Sequence, residues 1–333
     1  MFFSYFKMKI LVYRISSIGD IVLTTPVVRC LRKQLQNAEI HYLTRKKYSD
    51  ILKNNPDIDK LHLIEKSPLE IVAELKMEKF DYFIDLHRNI RSKRLNWVLH
   101  TKYSTFPKLN FRKWLLTKFK INRLPNIHIV DRYFRAVAPL GVRNDYQGLG
   151  IFVPKSTTII PIDLPEKYIA FAIGGTFATK RYPVDLIIEF AQQSPLKLVL
   201  LGGDSEKEAA ETIVQASPLN TVNACGRLSL LQSAEVIQNA DVVVSNDTGM
   251  MHIAAAFKKP LVSLWGNTVP GFGMYPYYPA GQESSFVILE NNELTCRPCS
   301  KLGFKECPKG HFDCMMKILP ESIVAAINKL LGV

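Results

Sequence analysis

The sequence lacks several features that would place it in common classes of protein. No uninterrupted apolar run approaches the roughly 18 residues that a membrane-spanning helix requires. Residues 1–6, ahead of a second methionine at Met8, are too short for a signal-peptide core. Six cysteines in 333 residues are too few for a fold held by disulfides. The absence of G-x-G-x-x-G and G-x-x-x-x-G-K-[ST] motifs argues against dinucleotide dehydrogenases and P-loop NTPases.

Acidic residues are absent from residues 86–130, although that segment contains eleven of the chain's lysines and arginines. The segment therefore contributes +11 of the formal net charge of +13. Aromatic residues are interleaved with the cations, so we expect the segment to fold and to bind a partner. Its chemistry favours a phosphorylated lipid, a polyanionic sugar or a nucleic acid, and a merely solvated basic face is the alternative.

Elsewhere, short apolar runs alternate with amphipathic stretches, which is typical of strand–helix units that build a parallel sheet. Two such series each open with a strand followed by a glycine-containing turn. We therefore predict an α/β protein with an N-terminal domain over residues 1–154, a linker over 155–167 and a C-terminal domain over 168–333. Two Rossmann-like domains with parallel sheets facing a central cleft are the expected assembly.

The clearest sign of a binding site is the stretch Ser245–His252. It follows the apolar run 241–244 and precedes the helix-forming run 253–257. A strand, a polar turn and a helix in that order place backbone amides at a helix N-terminus, which favours an anion such as a diphosphate. The next strand ends at Gly266–Thr268, so we expect two loops at one edge of a sheet, where open α/β sheets bind ligands.

Four of the six cysteines form a short cluster near the C-terminus. Their spacing, C-x2-C-x7-C-x6-C with His311 nearby, suits a structural zinc site, but the intervening loops are irregular compared with the usual paired hooks. Reduced thiols that pack a short loop are the preferred interpretation, and zinc is the alternative. The cysteines are Cys296, Cys299, Cys307 and Cys314.

Four sequence blocks together resemble the heptosyltransferase family, glycosyltransferase family 9. They are residues 14–20 (RISSIGD), 85–92 (DLHRNIRS), 174–183 (GGTFATKRYP) and 246–252 (NDTGMMH), in the family's order. The resemblance implies a GT-B fold and an inverting transfer of heptose from ADP-heptose to the inner core of lipopolysaccharide, with no catalytic metal and no cofactor. It also implies a cytoplasmic enzyme, peripheral at the inner face of an anionic membrane, that binds a phosphorylated lipid-linked saccharide and no nucleic acid.

The resemblance assigns roles to individual residues. Asp20 matches the general base that removes the proton of the acceptor hydroxyl, although a carboxylate after such a turn is also a common helix cap. Lys180 matches a catalytic and donor-binding cation for the leaving diphosphate, and Asp247 is placed on sugar hydroxyls. His252 is equally consistent with a packed core histidine. The other donor-site candidates are Thr176, Thr179, Thr248, Gly249 and Met250.

On the acceptor side, Arg14 either orients acceptor anions or pairs with a carboxylate. The other acceptor-binding candidates are Ser17, Gly19, Arg88 and Arg91. Two different functions stay open at this point. One is a glycosyltransferase that uses another nucleotide sugar, and the other is a nucleic-acid-binding protein that uses residues 86–130.

Overall fold

The computed structural model describes residues 7–154 and 160–333. Residues 1–6, with the alternative start, and residues 155–159 of the predicted linker lie outside the described residues. The chain divides into two compact units. The first contains Met1–Lys108 and Ile127–Pro154, and the second contains Leu109–Asn126 and Lys155–Val333.

The first unit is built on a five-stranded parallel sheet. Its strands are β1 (Met8–Tyr13), β2 (Ala38–Arg45), β3 (Lys60–Ile64), β4 (Tyr82–Asp85) and β5 (Lys102–Thr105). Its helices are α1 (Ile18–Val22), α2 (Thr25–Gln34), α3 (Val72–Glu78), α4 (Ile90–Leu99) and, after α5 (Asn110–Phe119) of the second unit, α6 (Ile129–Val137). The strand order β3-β2-β1-β4-β5 places β1 in the centre.

The central strand explains where the loops of this unit meet. Residues 10–13 of β1 have no exposed surface, as is typical of the middle strand of a parallel sheet. Tyr13, the last residue of β1, lies opposite Leu43 of β2 on one side and Asp85 of β4 on the other. The loops that follow β1, β2 and β4 therefore leave the same edge of the sheet, where α/β proteins bind ligands.

The second unit is built on a six-stranded parallel sheet of order β11-β10-β9-β6-β7-β8. Its strands are β6 (Tyr168–Ala172), β7 (Lys197–Leu201), β8 (Thr221–Asn223), β9 (Val242–Asn246), β10 (Leu261–Trp265) and β11 (Phe286–Glu290). Its helices, besides α5, are α7 (Val184–Gln193), α8 (Lys207–Ala216), α9 (Leu230–Asn239), α10 (Gly249–Ala256), α11 (Asp313–Met316) and α12 (Pro320–Leu331). The strand order reverses between β6 and β9, so the loops after these two strands flank a position that commonly binds a ligand.

These sheets confirm the predicted α/β fold class with two Rossmann-like parts. The strands β5 and β11 were not predicted. The residues of β5 (KYST) include no apolar run, whereas β11 (FVILE) contains a run of four apolar residues that was not assigned to a strand from the sequence. In the part of the chain that the structure describes, no helix combines the length and the apolarity needed to cross a membrane.

The helix α5 differs from the predicted division of the chain. It falls within residues 1–154, yet it packs with the second unit. Leu116 is buried, the Lys113 ammonium lies 5.2 Å from the centre of the Phe272 ring, and Lys120 donates hydrogen bonds to the carbonyls of Cys296 and Pro298 at 2.8 Å each. Composition alone could not show that α5 packs with the second unit, because the contacts join residues more than 150 positions apart in the sequence.

Candidate active site

Asp20 lies in the loop-to-helix transition after β1. The backbone amide of Ser17 donates to its Oδ2 at 3.1 Å, and the Ser17 hydroxyl donates to the same oxygen at 2.8 Å. The guanidinium of Arg14 pairs with Oδ1 at 2.5 Å. Asp20 thus fills the helix-capping role that was its alternative interpretation, and it also takes part in an ion pair.

These contacts determine the protonation state of Asp20. Burial opposes ionisation, but the charge of Arg14 and the hydrogen bonds from Ser17 outweigh it, so the pKa of the carboxyl lies below its ordinary value. The side chain still has 20% of its surface exposed. Asp20 is therefore an ionised carboxylate at neutral pH that is fixed in orientation and can be reached from solvent.

The Arg14 side chain lies next to Asp20 and is buried. Its Nε donates to the carbonyl of Ser16 at 2.8 Å and its Nη1 to the carbonyl of Leu86 at 2.5 Å. With the Asp20 ion pair, these bonds occupy all three guanidinium nitrogens, and the side chain is buried. The predicted acceptor-binding role of Arg14 is therefore corrected to its stated alternative, pairing with a carboxylate. Of the other loop residues predicted there, Gly19 is buried inside α1 and Ser17 supports Asp20.

A cavity of about 420 Å³ lies beside this loop in the first unit. Its charged groups are the arginines that follow β2 and begin α4, Arg45 and Arg91. Two buried nitrogens of the lining have no hydrogen-bond partner among the described residues, Nε of Arg45 and Nδ1 of His87. The full lining is Ile15, Ser16, Arg45, His87, Asn89, Ile90 and Arg91.

The electrostatics of this cavity suit an anion with hydroxyl groups. Burial first, and then the positive charges of Arg14 and Lys108, lower the pKa of His87 to about 3, so its imidazole is neutral at physiological pH. Two arginines supply positive charge, while Asn89 and neutral His87 offer uncharged polar atoms. A carboxylate- or phosphate-bearing sugar has the matching chemistry.

The two predicted arginines of the loop after β4 are placed differently. Arg91 lines the cavity, whereas Arg88 donates through Nη1 to the carbonyl of Phe106 at 2.9 Å and is not part of the lining. The loop itself is held by the buried carboxylate of Asp85, which accepts from the backbone amides of His87 and Arg88 at 2.9 and 2.6 Å. Arg45, His87 and Asn89 had no predicted role. Their position after the strands β2 and β4, which flank β1, is the signal that could have found them.

In the second unit, Lys180 and Asp247 form an ion pair. Nζ of Lys180 lies 2.5 Å from Oδ2 of Asp247 and 3.1 Å from the Asp247 carbonyl. The hydroxyl of Thr268 donates to the same carboxylate oxygen at 2.7 Å. Three segments therefore converge, the turn after β6, the end of β9 and the end of β10, as the sequence predicted for Gly266–Thr268 and the 246–252 block.

Asn246 fastens these segments together. Its side chain is buried and donates through Nδ2 to the carbonyls of Ile173 and Gly174 at 3.2 Å each, while Oδ1 accepts from the amide of Tyr182 at 3.2 Å. Arg181 supports the same turn by donating to the Gly175 carbonyl at 2.7 Å. Asn246 is thus a positioning residue, a role that its place in the motif did not reveal.

The helix α10 begins beside this cluster. Thr248 precedes its first turn, and the predicted residues Gly249 and Met250, both partly exposed, open the helix. Amides at such a helix start attract a phosphate. His252 is buried one turn further along, in agreement with its interpretation as a packed core histidine.

The two predicted threonines near Lys180 differ in exposure. Thr176 is exposed at the turn after β6. Thr179 is buried, and its hydroxyl accepts from the backbone amide of Phe304 at 2.8 Å. Thr179 therefore holds the cysteine-containing loop in place, and its side chain is not presented to a ligand.

The cysteine-containing loop packs directly on the segment after β10. Arg297, between two of the cysteines, is buried and donates to the carbonyls of Gly266 at 2.5 Å and Thr268 at 2.9 Å. The amide of Cys299 donates to the carbonyl of Asn267 at 3.1 Å. The Asn267 side chain is buried, and neither its Oδ1 nor its Nδ2 has a hydrogen-bond partner among the described residues. Asn267 therefore joins the candidate donor-site residues.

A group of side chains has the spacing of metal ligands. Among the described residues, one group brings three ligand atoms within 4.8 Å of one another, His41, His62 and Glu78. The Glu78 carboxylate is held by Lys9 at 2.7 Å and Lys60 at 2.6 Å, so two ammonium groups oppose a cation there.

The four C-terminal cysteines are free thiols, and within the described chain no three of their sulfur atoms meet that 4.8 Å limit. Burial, followed by the neighbouring Cys296, raises the pKa of the Cys299 thiol. Burial also raises the pKa of the Cys314 thiol, to about 12. Protonated thiols agree with the preferred interpretation, which stays a prediction.

Comparisons with known proteins identify the family. A model described as glycosyltransferase family 9 (heptosyltransferase) matches residues 69–306. Lipopolysaccharide heptosyltransferase 1 of Campylobacter coli is 24% identical, over 98% of this chain and 99% of its own, and lipopolysaccharide heptosyltransferase 2 of Escherichia coli K12 is 24% identical over 97% and 99%.

Solved structures share the fold. The family 9 glycosyl transferase of Veillonella parvula superposes with a TM-score of 0.75 at 22% identity, covering 98% of each chain. The ADP-heptose lps heptosyltransferase II of E. coli gives 0.73 at 19% identity, covering 98% of this chain and 99% of its own. These likenesses confirm the predicted GT-B fold class. With a family model that matches well over half of its length, the chain belongs to glycosyltransferase family 9, the heptosyltransferases.

Proposed function

We propose that the protein transfers heptose from ADP-heptose to the inner core of lipopolysaccharide by a single, inverting displacement that needs no metal ion. The observation that carries the proposal is the ionised, partly exposed Asp20 carboxylate, fixed by Arg14 and Ser17 beside a cationic cavity. The donor and acceptor come from the relatives, which are named as lipopolysaccharide heptosyltransferases. A solved E. coli heptosyltransferase with ADP-2-deoxy-2-fluoro heptose shares the fold at a TM-score of 0.66.

In this proposal Asp20 accepts the proton of the acceptor hydroxyl as that oxygen attacks the anomeric carbon of the donor. The bond from that carbon to the diphosphate breaks in the same step, and ADP leaves with the bonding electron pair. A carboxylate with a lowered pKa is a weak base, so it receives the proton late, when the attacking oxygen has become acidic. One base and one displacement invert the anomeric configuration.

The second unit supplies the groups for the leaving diphosphate. Lys180 and the amides at the start of α10 carry the positive charge and the hydrogen-bond donors that a departing phosphate requires. Asp247 pairs with Lys180 and is itself suited to accept hydrogen bonds from sugar hydroxyls. Because these groups already balance the charge that develops, the proposal assigns no role to a divalent cation.

The cavity of the first unit receives the acceptor in this proposal. Arg45 and Arg91 pair with its carboxylate or phosphate groups, and neutral His87 hydrogen-bonds a hydroxyl through Nδ1. A lipid-linked acceptor is available only at a membrane surface, so we place the enzyme in the cytoplasm, peripherally attached to the inner face of the cytoplasmic membrane.

Replacing the base tests the chemical step. Asp20→Asn should reduce turnover about 10²–10⁴-fold, because the amide cannot accept the proton, while the affinity for ADP stays unchanged. Asp59→Asn is the control, since Asp59 belongs to a surface pair with Arg32. Initial rates with ADP-heptose and calorimetry with ADP measure the two effects. Wild-type turnover in folded Asp20→Asn would remove this residue from the mechanism.

Replacing Arg14 tests how the base is held. In the wild type, kcat/KM should show no loss attributable to Asp20 between about pH 8 and about pH 5, because its carboxylate stays ionised over that range. Arg14→Met should shift the acid limb of the profile to higher pH, since burial then dominates, and Arg14→Lys should restore much of the original profile. An acid limb that is the same in all three proteins contradicts the assigned role.

Replacing Lys180 tests the diphosphate site. Lys180→Ala should weaken ADP binding about 10–100-fold and slow turnover as well, because a charge-assisted bond to the leaving phosphate is lost. Calorimetry measures the affinity for ADP and initial rates measure turnover, with the exposed Lys197→Ala as control. Initial rates of the wild type are also measured with and without EDTA. Unchanged ADP affinity, or a large reversible loss of wild-type activity with EDTA, goes against the proposal.

Replacing the cavity arginines tests the acceptor site. Arg45→Gln and Arg91→Gln should each raise the acceptor KM about 10-fold, because each removes a charge-assisted contact, and should leave the donor KM unchanged. Arg94→Gln, an exposed arginine of α4 outside the cavity lining, is the matched control. If the donor KM rises instead, the cavity does not receive the acceptor.

A further inference from the structure

The helix α5 exposes large aromatic side chains. Phe111 is 68% exposed, Trp114 46% and Phe119 53%, although residues of this size are usually buried. Exposed apolar groups that lie together mark a contact with another molecule, whereas isolated ones need no explanation.

The three rings form one cluster. The ring centres of Phe111 and Trp114 are 5.8 Å apart with the planes nearly parallel, and those of Trp114 and Phe119 are 5.1 Å apart with the planes nearly perpendicular. Because the rings pack against one another, they present one compact apolar surface. They are not separated platforms of the kind on which the bases of a single-stranded nucleic acid stack.

The charge around this cluster has one sign. Residues 109–126 contain five cations and no acidic residue, and Arg112, Lys118 and Arg123 are exposed. The other two cations, Lys113 and Lys120, contact the Phe272 ring and the cysteine-containing loop. The helix is therefore fastened to its own unit on one side and offers aromatic rings and positive charge on the other.

We propose that α5 docks this enzyme on an anionic membrane surface, with the aromatic cluster of Phe111, Trp114 and Phe119 inserted among the lipid headgroups. The inference deepens the proposed function, since it rests on an acceptor that is carried by a membrane. Aromatic rings partition into the headgroup region, and each nearby cation gains on the order of 1 kcal/mol from an anionic leaflet. The combination fits an anionic lipid surface, because the cluster is aromatic and the charges around it are all positive.

Tryptophan fluorescence gives a direct test, because the chain has three tryptophans and they differ in environment. Trp265 is buried, whereas Trp97 and Trp114 are exposed. In Trp97→Phe, vesicles of phosphatidylglycerol and phosphatidylcholine should shift the emission to the blue, and brominated lipid should quench it. In the matched variant Trp114→Phe, in which Trp97 on α4 is the exposed reporter, both responses should be much smaller.

Vesicle sedimentation tests the same surface by substitution. Changing Phe111, Trp114 and Phe119 together to Ser should weaken binding to the anionic vesicles about 100-fold. The control changes Met77, Leu219 and Val333 to Ser, three exposed apolar residues outside α5 and outside the cysteine-containing loop that it contacts, and should bind like the wild type. Binding of the wild type should weaken with added salt, since the charges lie in a screened surface layer.

Activity separates this inference from the proposed function. With a deacylated, water-soluble inner-core acceptor, the triple α5 variant should transfer heptose like the wild type, and with acceptor in vesicles it should be slower. Wild-type vesicle binding by that variant, or no vesicle binding by the wild type, overturns the docking role even if transfer is normal. Loss of transfer to the soluble acceptor also overturns it, because α5 then serves the reaction directly. An absence of transfer by the wild type itself contradicts the proposed function instead.

Discussion

The ion pair between Arg14 and Asp20 is the contact on which the chemistry of the first unit depends. A carboxylate that is largely removed from water resists ionisation unless a positive charge and hydrogen bonds compensate, and here Arg14 and Ser17 provide both. The same guanidinium donates to backbone carbonyls at Ser16 and Leu86, so it joins the loop after β1 to the loop after β4. One side chain therefore fixes Asp20 and joins two loops that contribute to the lining of the neighbouring cavity.

The second unit uses a comparable arrangement. Asn246 joins the turn after β6 to the end of β9, and Arg297 joins the cysteine-containing loop to the segment after β10. Between them, Asp247 pairs with Lys180. In the proposed function a donor therefore meets groups that are already oriented, which lowers the cost of reorganisation in the transfer step.

The fold class, and the residues that the proposal places at the donor site, could be predicted from the sequence because those signals are local. A strand, a polar turn and a helix are contiguous, and the blocks around Asp20 and Lys180 are short. Arg45 and His87 could not be found in the same way, because their shared cavity depends on the loops after β2 and β4 flanking β1. Thr179 illustrates the opposite error. It lies in a matching block, but a hydrogen bond to Phe304, more than 100 residues later, uses its hydroxyl.

The sequence alone also could not show where the parts of the basic segment lie in the fold. Its charge was evident from composition, yet packing divides it, with Arg91 at the cavity of the first unit and α5 in the second unit. The two parts thus differ in chemistry, since one supplies an arginine to a cavity and the other exposes an aromatic surface.

The central claim is a single displacement assisted by one base. The most direct measurement is the anomeric configuration of the newly formed glycosidic bond, determined by NMR on the product made from ADP-heptose of defined configuration. Our account predicts a product inverted relative to the donor, because the acceptor oxygen attacks opposite the leaving diphosphate. A product that retains the donor's configuration would contradict it, since retention requires a second displacement or an attack from the same face.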